Sequence, residues 1–147
     1  MSTSRLEPSA VARALDGASI ALPMGMLGFE RNKRFILHTL FPEDPLIWFE
    51  MADSPGRGFY VLSAVGFSDT PVPELGSQDL EFLGLAELSE ALVLSLATVS
   101  PGGAVTLHPR APIVINPRTR VGKQVVPNNI DLIPAIQPLD MVAEVAA

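Results

Sequence analysis

His38 and His108 are the only two histidines in the chain, and there is no cysteine. Imidazole can act as a general base or a metal ligand, so these positions come first. His38 falls inside RFILHTL, where a histidine on a strand face is the simpler expectation. His108 precedes Pro109 near a strand end and reads as a loop histidine. Two histidines without cysteine or metal-ligand spacing make a poor zinc site. A chain without cysteine has neither a disulfide framework nor a thiolate nucleophile. A serine nucleophile needs a base and an orienting acid, and no Gly-x-Ser-x-Gly is present. A carboxylate enzyme would draw on Glu43, Asp44 and Asp53. Adjacent carboxylates tend to point apart, however, so a solvated turn is expected there. PGGA at 101–104 leads into a strand rather than a helix, so it does not cradle phosphate.

The positive signal lies later in the chain. Arg110, Arg118, Arg120 and Lys123 are four of the ten basic residues and fall within fourteen positions. They flank the apolar run APIVI. Such a group is either a solvated rim or a docking surface, where the arginine fork pairs with carboxylates; spacing does not choose between the two. Trp48 sits in an apolar strand and reads as core. An alternative is a small barrel that binds an apolar ligand, lined by Trp48, Phe59 and Tyr60.

At 147 residues the chain fits one domain, able to bury roughly 70% of its unfolded surface. Hydrophobic residues make up 48% and charged residues 18%, and the net charge is −6. That balance argues against nucleic-acid binding by counterion release, which needs clustered Lys and Arg. It favours a basic protein partner over an acidic one. The start lacks the apolar stretch of a signal peptide, and no run reaches the ~18 apolar residues of a membrane span. The expectation is a soluble cytoplasmic domain without cofactor or metal.

These residues must be positioned by short strands. SIAL (19–22) precedes a glycine-rich corner, PMGMLGFE (23–30). RFILHTL (34–40), LIWFEM (46–51) and FYVLSAV (59–65) follow, separated by turns rich in Pro, Asp and Gly. Residues 77–85 predict a short helix with Ser77 as N-cap, Asp79 in its first turn and Gly84 at its end. EALVLSLATVS (90–100) is the longest apolar run. SPGG predicts a type II turn returning through AVTL (104–107). APIVI (111–115) and GKQVV (122–126) flank NPRT, which fits a type I turn that Asn116 caps. Short strands at this spacing with fourteen prolines predict a mainly β fold: a small antiparallel β-barrel with one or two short helical segments. The barrel domain is expected over 18–130. Residues 1–17 form an arm, either helical or loose, and 131–147 a tail that lies along the body or stays mobile.

Three stretches together resemble the FliW family, the bacterial flagellar assembly factors. RAPIVINPRTRVGKQVV is similar to the family's late signature, GMLGFE to its early one, and ELGSQDLEFLGL to its central acidic-leucine stretch, in matching order over roughly 20–126. Departures are Leu27 where the family usually has Pro, FEMADS at 49–54, the residues at 106–109, and TPVP at 70–73. The resemblance implies a monomeric, cytoplasmic, non-enzymatic barrel. It further implies that the chain binds flagellin and antagonises the RNA-binding translational regulator CsrA. Carried over by motif, Phe29, Glu30, Glu74, Arg110 and Arg120 are the expected protein-binding residues. Gly28 and Gly122 are expected to serve backbone geometry.

Overall fold

The computed structural model describes residues 8–40, 45–63 and 70–142. Helix α1 (Pro8–Ala14) is followed by strands β1 (Ser19–Ala21), β2 (Arg34–Thr39), β3 (Ile47–Met51) and β4 (Gly58–Leu62). Helix α2 (Ser77–Leu83) interrupts, and then come β5 (Leu92–Val99), β6 (Ala104–Asn116), β7 (Val121–Gln124) and β8 (Gln137–Val142). The order β5-β4-β3-β2-β1-β7-β6, with β6 pairing back to β5, closes a seven-stranded barrel; β8 adds to β6 from outside. The mainly β barrel expected from the sequence is therefore present. Its seam is not antiparallel, because β1 and β7 run parallel through Ala21 and Val121.

Alternation in β2 and β3 sets the interior. Phe35, Leu37, Ile47, Phe49 and Met51 point inward and are buried. Phe35 and Phe49 stack with ring centroids 4.7 Å apart, each burial worth about 2–3 kcal/mol. Trp48 lies on the opposite face of β3, half-buried and edge-on to Tyr60 at 5.0 Å. It is thus an outer-face residue rather than core, because the period-two register gives the inside to its neighbours Ile47 and Phe49. Phe59 points inward against Phe35. Trp48, Phe59 and Tyr60 therefore line no common pocket.

The two short strands expected at 104–107 and 111–115 are one thirteen-residue strand, β6, carrying a large bulge. Leu94 pairs with Ile113 and Leu96 with His108, so six residues of β6 oppose three of β5. Pro109 and Pro112 fall in this bulge, where a missing donor is tolerated. The bulge switches faces. Ile113 and Ile115 join the barrel interior, whereas Val105 and Leu107 join a second cluster with Leu46, Leu62 and Ala97 on the outside. A third cluster, Leu83, Leu85, Val93, Val114 and Val125, forms where α2 packs on the outer face.

Turn chemistry departs from expectation at the β5–β6 hairpin. Gly103, not Gly102, has positive φ, and its N–H donates to the Ser100 carbonyl at 2.9 Å. A type II turn would need positive φ at Gly102. The observed three-residue loop ends in a left-handed residue, which matches the right-handed twist of the strands. Helix α2 begins after Gly76, one residue before the expected cap, and ends at Gly84, φ 70. The Gly84 and Leu85 amides donate to Glu81 and Leu80 carbonyls, a closure that needs a left-handed residue at Gly84. The segments set apart as arm and tail contribute packing: Ala12 and Leu15 are buried in the barrel core, while Leu139 and Met141 pack on the outer cluster. Among the described residues no helix is long and apolar enough to cross a membrane.

Asn116 is 1% exposed. Its Nδ2 donates to the Leu83 carbonyl at 2.8 Å, and its Oδ1 accepts from the Arg118 amide at 3.0 Å. Asn116→Ala is expected to cost about 2–3 kcal/mol, since the Leu83 carbonyl loses its partner; chemical denaturation with an unchanged midpoint would contradict this. A Cβ on Gly122 would lie 2.9 Å from Leu22 Cδ2 and 3.1 Å from the Val114 carbonyl. Gly122→Ala is therefore expected to cost about 1–3 kcal/mol by overpacking, read by the same titration.

Three of the carboxylates that accept backbone amides have lowered pKa values: Asp16 accepts from Thr39 at 2.8 Å, Glu50 from Gly56 at 2.8 Å, and Glu30 from Gly28 at 3.0 Å. Those bonds hold all three below the ordinary carboxylate range. Since the folded values lie below the unfolded ones, the stabilisation is present above the unfolded pKa and is lost as pH falls through the folded values. Thermal melts should hold steady across mildly acidic pH and drop below about pH 4, with a shallower drop in Asp16→Asn.

Candidate protein-docking face

The three quoted stretches meet on one side of the barrel. Loop 22–33 leaves β1 alongside β7, with Leu22 against Gly122. Met26 drops into the core, while Leu27, Met24 and Phe29 remain 82%, 56% and 37% exposed. A Cβ on Gly25 would stand 2.6 Å from the Glu30 backbone, so the loop folds tightly enough to force its apolar side chains outward. Gln124 holds the loop in place. Its Oε1 accepts from the Leu27 amide at 2.8 Å and its Nε2 donates to the Ala111 carbonyl at 3.2 Å. The central stretch is held in turn by Asn116 on Leu83 and by an ion pair of Lys123 Nζ with Asp79 Oδ1 at 2.5 Å. Lys123 also lies 5.5 Å from the centroid of Phe82, which is exposed, a cation–π distance.

The five expected binding residues occupy three places. Phe29 and Glu30 share the loop after β1. Phe29 meets Phe59 edge-on at 5.2 Å, and Glu30 braces the turn through the Gly28 amide, where Gly28 has φ 86. Glu74 and Arg110 both tie to the segment after β7. The Glu74 amide donates to Asn129 Oδ1 at 2.9 Å, its carbonyl accepts from the Asn128 amide at 2.7 Å, and Arg110 Nε donates to the Ile133 carbonyl at 2.7 Å. Arg120 stands apart on the β6–β7 hairpin tip, exposed, with φ 61. A left-handed conformation costs a non-glycine residue about 1–2 kcal/mol. It is held there by its amide on the Asn116 carbonyl at 2.8 Å and by its carbonyl accepting from the Ala21 amide at 2.9 Å. The loop thus spans four residues with a left-handed last one, instead of a simple type I turn.

The basic group is broken up accordingly. Lys123 is neutralised by Asp79 and Arg110 is engaged with a carbonyl. Among the described residues no carboxylate pairs with Arg118 or Arg120. The acidic charge is concentrated elsewhere. Between Arg57 and Arg110 there are six carboxylates and no Lys or Arg, so this stretch alone carries the net −6, and ten acids balance ten bases over the rest. Glu74, Glu81, Glu87 and Glu90, all exposed, lie on or around α2 and the turn after it.

Other chemistry finds little support in the geometry. His38 Nε2 lies 3.0 Å from Glu50 Oε1 on the outer face of β2 and β3, and His108 Nε2 lies 3.2 Å from Thr98 Oγ1 within β6. His108 is thus a mid-strand residue, since β6 continues through it. Asp53 is exposed in the turn after β3, and Glu43 and Asp44 lie outside the described residues. No three of His, Asp and Glu among the described residues converge to hold a metal ion. A small cavity under Thr70–Pro73, lined also by Ser95, Pro109 and Pro112, has a volume of about 20 Å³, room for a single water. Sequence reasoning missed the outward Leu27 and Met24, the Phe82–Lys123–Asp79 contact and the anchoring role of Gln124. The legible signal was an apolar stretch between glycines that fits no strand period.

Comparison with known proteins agrees with this architecture. The family model described as FliW protein matches residues 5–135. The flagellar assembly factor FliW of Geotalea uraniireducens (strain Rf4) is 37% identical over 112 residues, covering 76% of this chain and 68% of the relative. That of Desulfovibrio desulfuricans (strain ATCC 27774 / DSM 6949 / MB) is 35% identical, covering 77% and 71%. A crystal structure of a flagellar assembly factor FliW superposes with a TM-score of 0.66 at 26% identity, covering 82% of each chain. A barrel of this topology, a late stretch that anchors the early and central ones, and relatives matched over three quarters of the chain establish that it belongs to the FliW family.

Proposed function

We propose that the chain acts in the cytoplasm as a non-enzymatic, monomeric flagellar assembly factor. It binds flagellin and, in exchange, the regulator CsrA, whose repression it thereby relieves. The observation that carries this reading is the joining of the three family stretches by Asn116, Gln124 and Lys123. These side chains are spent on presenting a surface, and the residues left over are exposed apolar and charged ones. Binding energy concentrates on such aromatic and arginine anchors. The acidic surface around α2 suits a basic, RNA-binding partner and repels RNA itself. Phe29, Glu30, Glu74, Arg110 and Arg120 are the proposed contact residues.

Titration of the purified chain with flagellin and with CsrA is the direct test; saturable binding of each at micromolar concentration is expected, and no binding above background would end the assignment of partners. Arg120→Glu is expected to weaken one of these complexes by about 1–3 kcal/mol. Arg120→Gly supplies the control. It relieves the left-handed strain, so it should melt no lower than the parent while binding as weakly as the Glu variant. Full affinity in both variants would return Arg120 to a solvated rim.

A further inference from the structure

The geometry points to β8 as a displaceable strap over a strand-acceptor edge of β6, an edge that an extended apolar segment of a partner protein can take in its place. The inference rests on the reading of this chain as a protein-binding one and goes beyond it by assigning a surface. In its first half β6 is paired by β5 on one side and by β8 on the other, with Thr106 opposite Pro138 and Leu107 opposite Gln137. The family model ends at residue 135, so β8 lies wholly beyond the part of the chain it matches, on an edge the barrel does not need for closure.

The strap is built to hold weakly. Pro138 has no amide to give the ladder, and the register slips between Ala104 and Thr106. Leu139 and Met141 are only half-buried, and Pro138 and Asp140 are exposed. What lies beneath is fully buried and apolar: Leu62, Val105 and Leu107 are at most 1% exposed. Lifting β8 would therefore uncover both a row of unpaired backbone groups and an apolar stripe. That combination recruits an added strand, with backbone bonds giving affinity and alternate side chains giving selectivity. The matching ligand is an extended segment with large apolar residues at alternate positions, in the manner of Leu139 and Met141.

The test uses a chain ending at Ala135 and a synthetic peptide spanning 136–142, followed by calorimetry. The shortened chain should bind the peptide, and the full chain should bind it at least about tenfold more weakly because its own strand competes. Thr106→Cys with Pro138→Cys, the only cysteines in such a variant, should abolish peptide binding when oxidised and recover it on reduction, to a level no higher than the full chain's because Pro138→Cys restores an amide to the strand. Equal binding by all forms, or none by a folded shortened chain, overturns the proposal. Should the shortened chain not fold, hydrogen exchange on the full chain decides: β8 amides should exchange at least about tenfold faster than those between β5 and β6, and equal protection overturns it. These readouts use neither flagellin nor CsrA, so their failure is separate from failure of the proposed function.

Discussion

One buried amide, Asn116, ties the C-terminus of α2 to the β6–β7 hairpin and so holds the candidate docking face together. A helix leaves its last carbonyls without partners, and a buried one must find a donor elsewhere. The C-terminus of α2 closes two of its carbonyls with the Gly84 and Leu85 amides, and Asn116 supplies the donor for Leu83. The same side chain accepts from Arg118 and so fixes the hairpin that leads to β7. Replacing it with an apolar residue would leave a helix end and a hairpin tip docked on each other without the bond that sets their register.

The rest of that side follows. Once β7 is set, Gly122 lets Leu22 approach, Gln124 takes the Leu27 amide, and Lys123 reaches Asp79. Loop 22–33 then has no freedom to bury its apolar side chains, because Met26 already fills the core position beneath it. Exposure of Leu27 and Phe29 is thus a consequence of anchoring. A rigid loop presenting apolar groups loses little entropy on association, which is how preorganised surfaces gain affinity.

The outer face of the barrel has a different logic. The bulge in β6 turns Val105 and Leu107 outward, and two covers answer: α2 over the third cluster and β8 over the second. The helical cover is pinned by a buried hydrogen bond, an ion pair and its own capped terminus. The strand cover has a proline, an irregular register and half-exposed contacts. Two elements that each cover an apolar cluster are therefore held with different firmness, and local opening is expected where polar anchors are fewest.

Much of this was legible in the residues. Short apolar runs bounded by turn residues located seven of the eight strands among the described residues, and glycine and proline located most turns, because backbone sterics are local. Gly84 marked the helix end for the same reason. The partner of Asn116, the outward face of Trp48, the joining of two short runs into β6 and the pairing of residues 137–142 were not legible. Each depends on which segment a side chain or backbone edge meets across a long sequence separation. The five residues expected to bind illustrate the division. Their types and motif setting were visible in the chain, whereas the fold decided that the Arg110 side chain is engaged with the Ile133 carbonyl and that, among the described residues, no carboxylate pairs with the Arg120 side chain. Sequence by itself determined the strand and turn content, the lack of thiol chemistry and the acidic balance, since those are properties of single residues and near neighbours. Only the tertiary structure decided which polar groups spend their bonds inside the protein and which remain for a partner, because burial and hydrogen-bond satisfaction are settled by the whole chain at once.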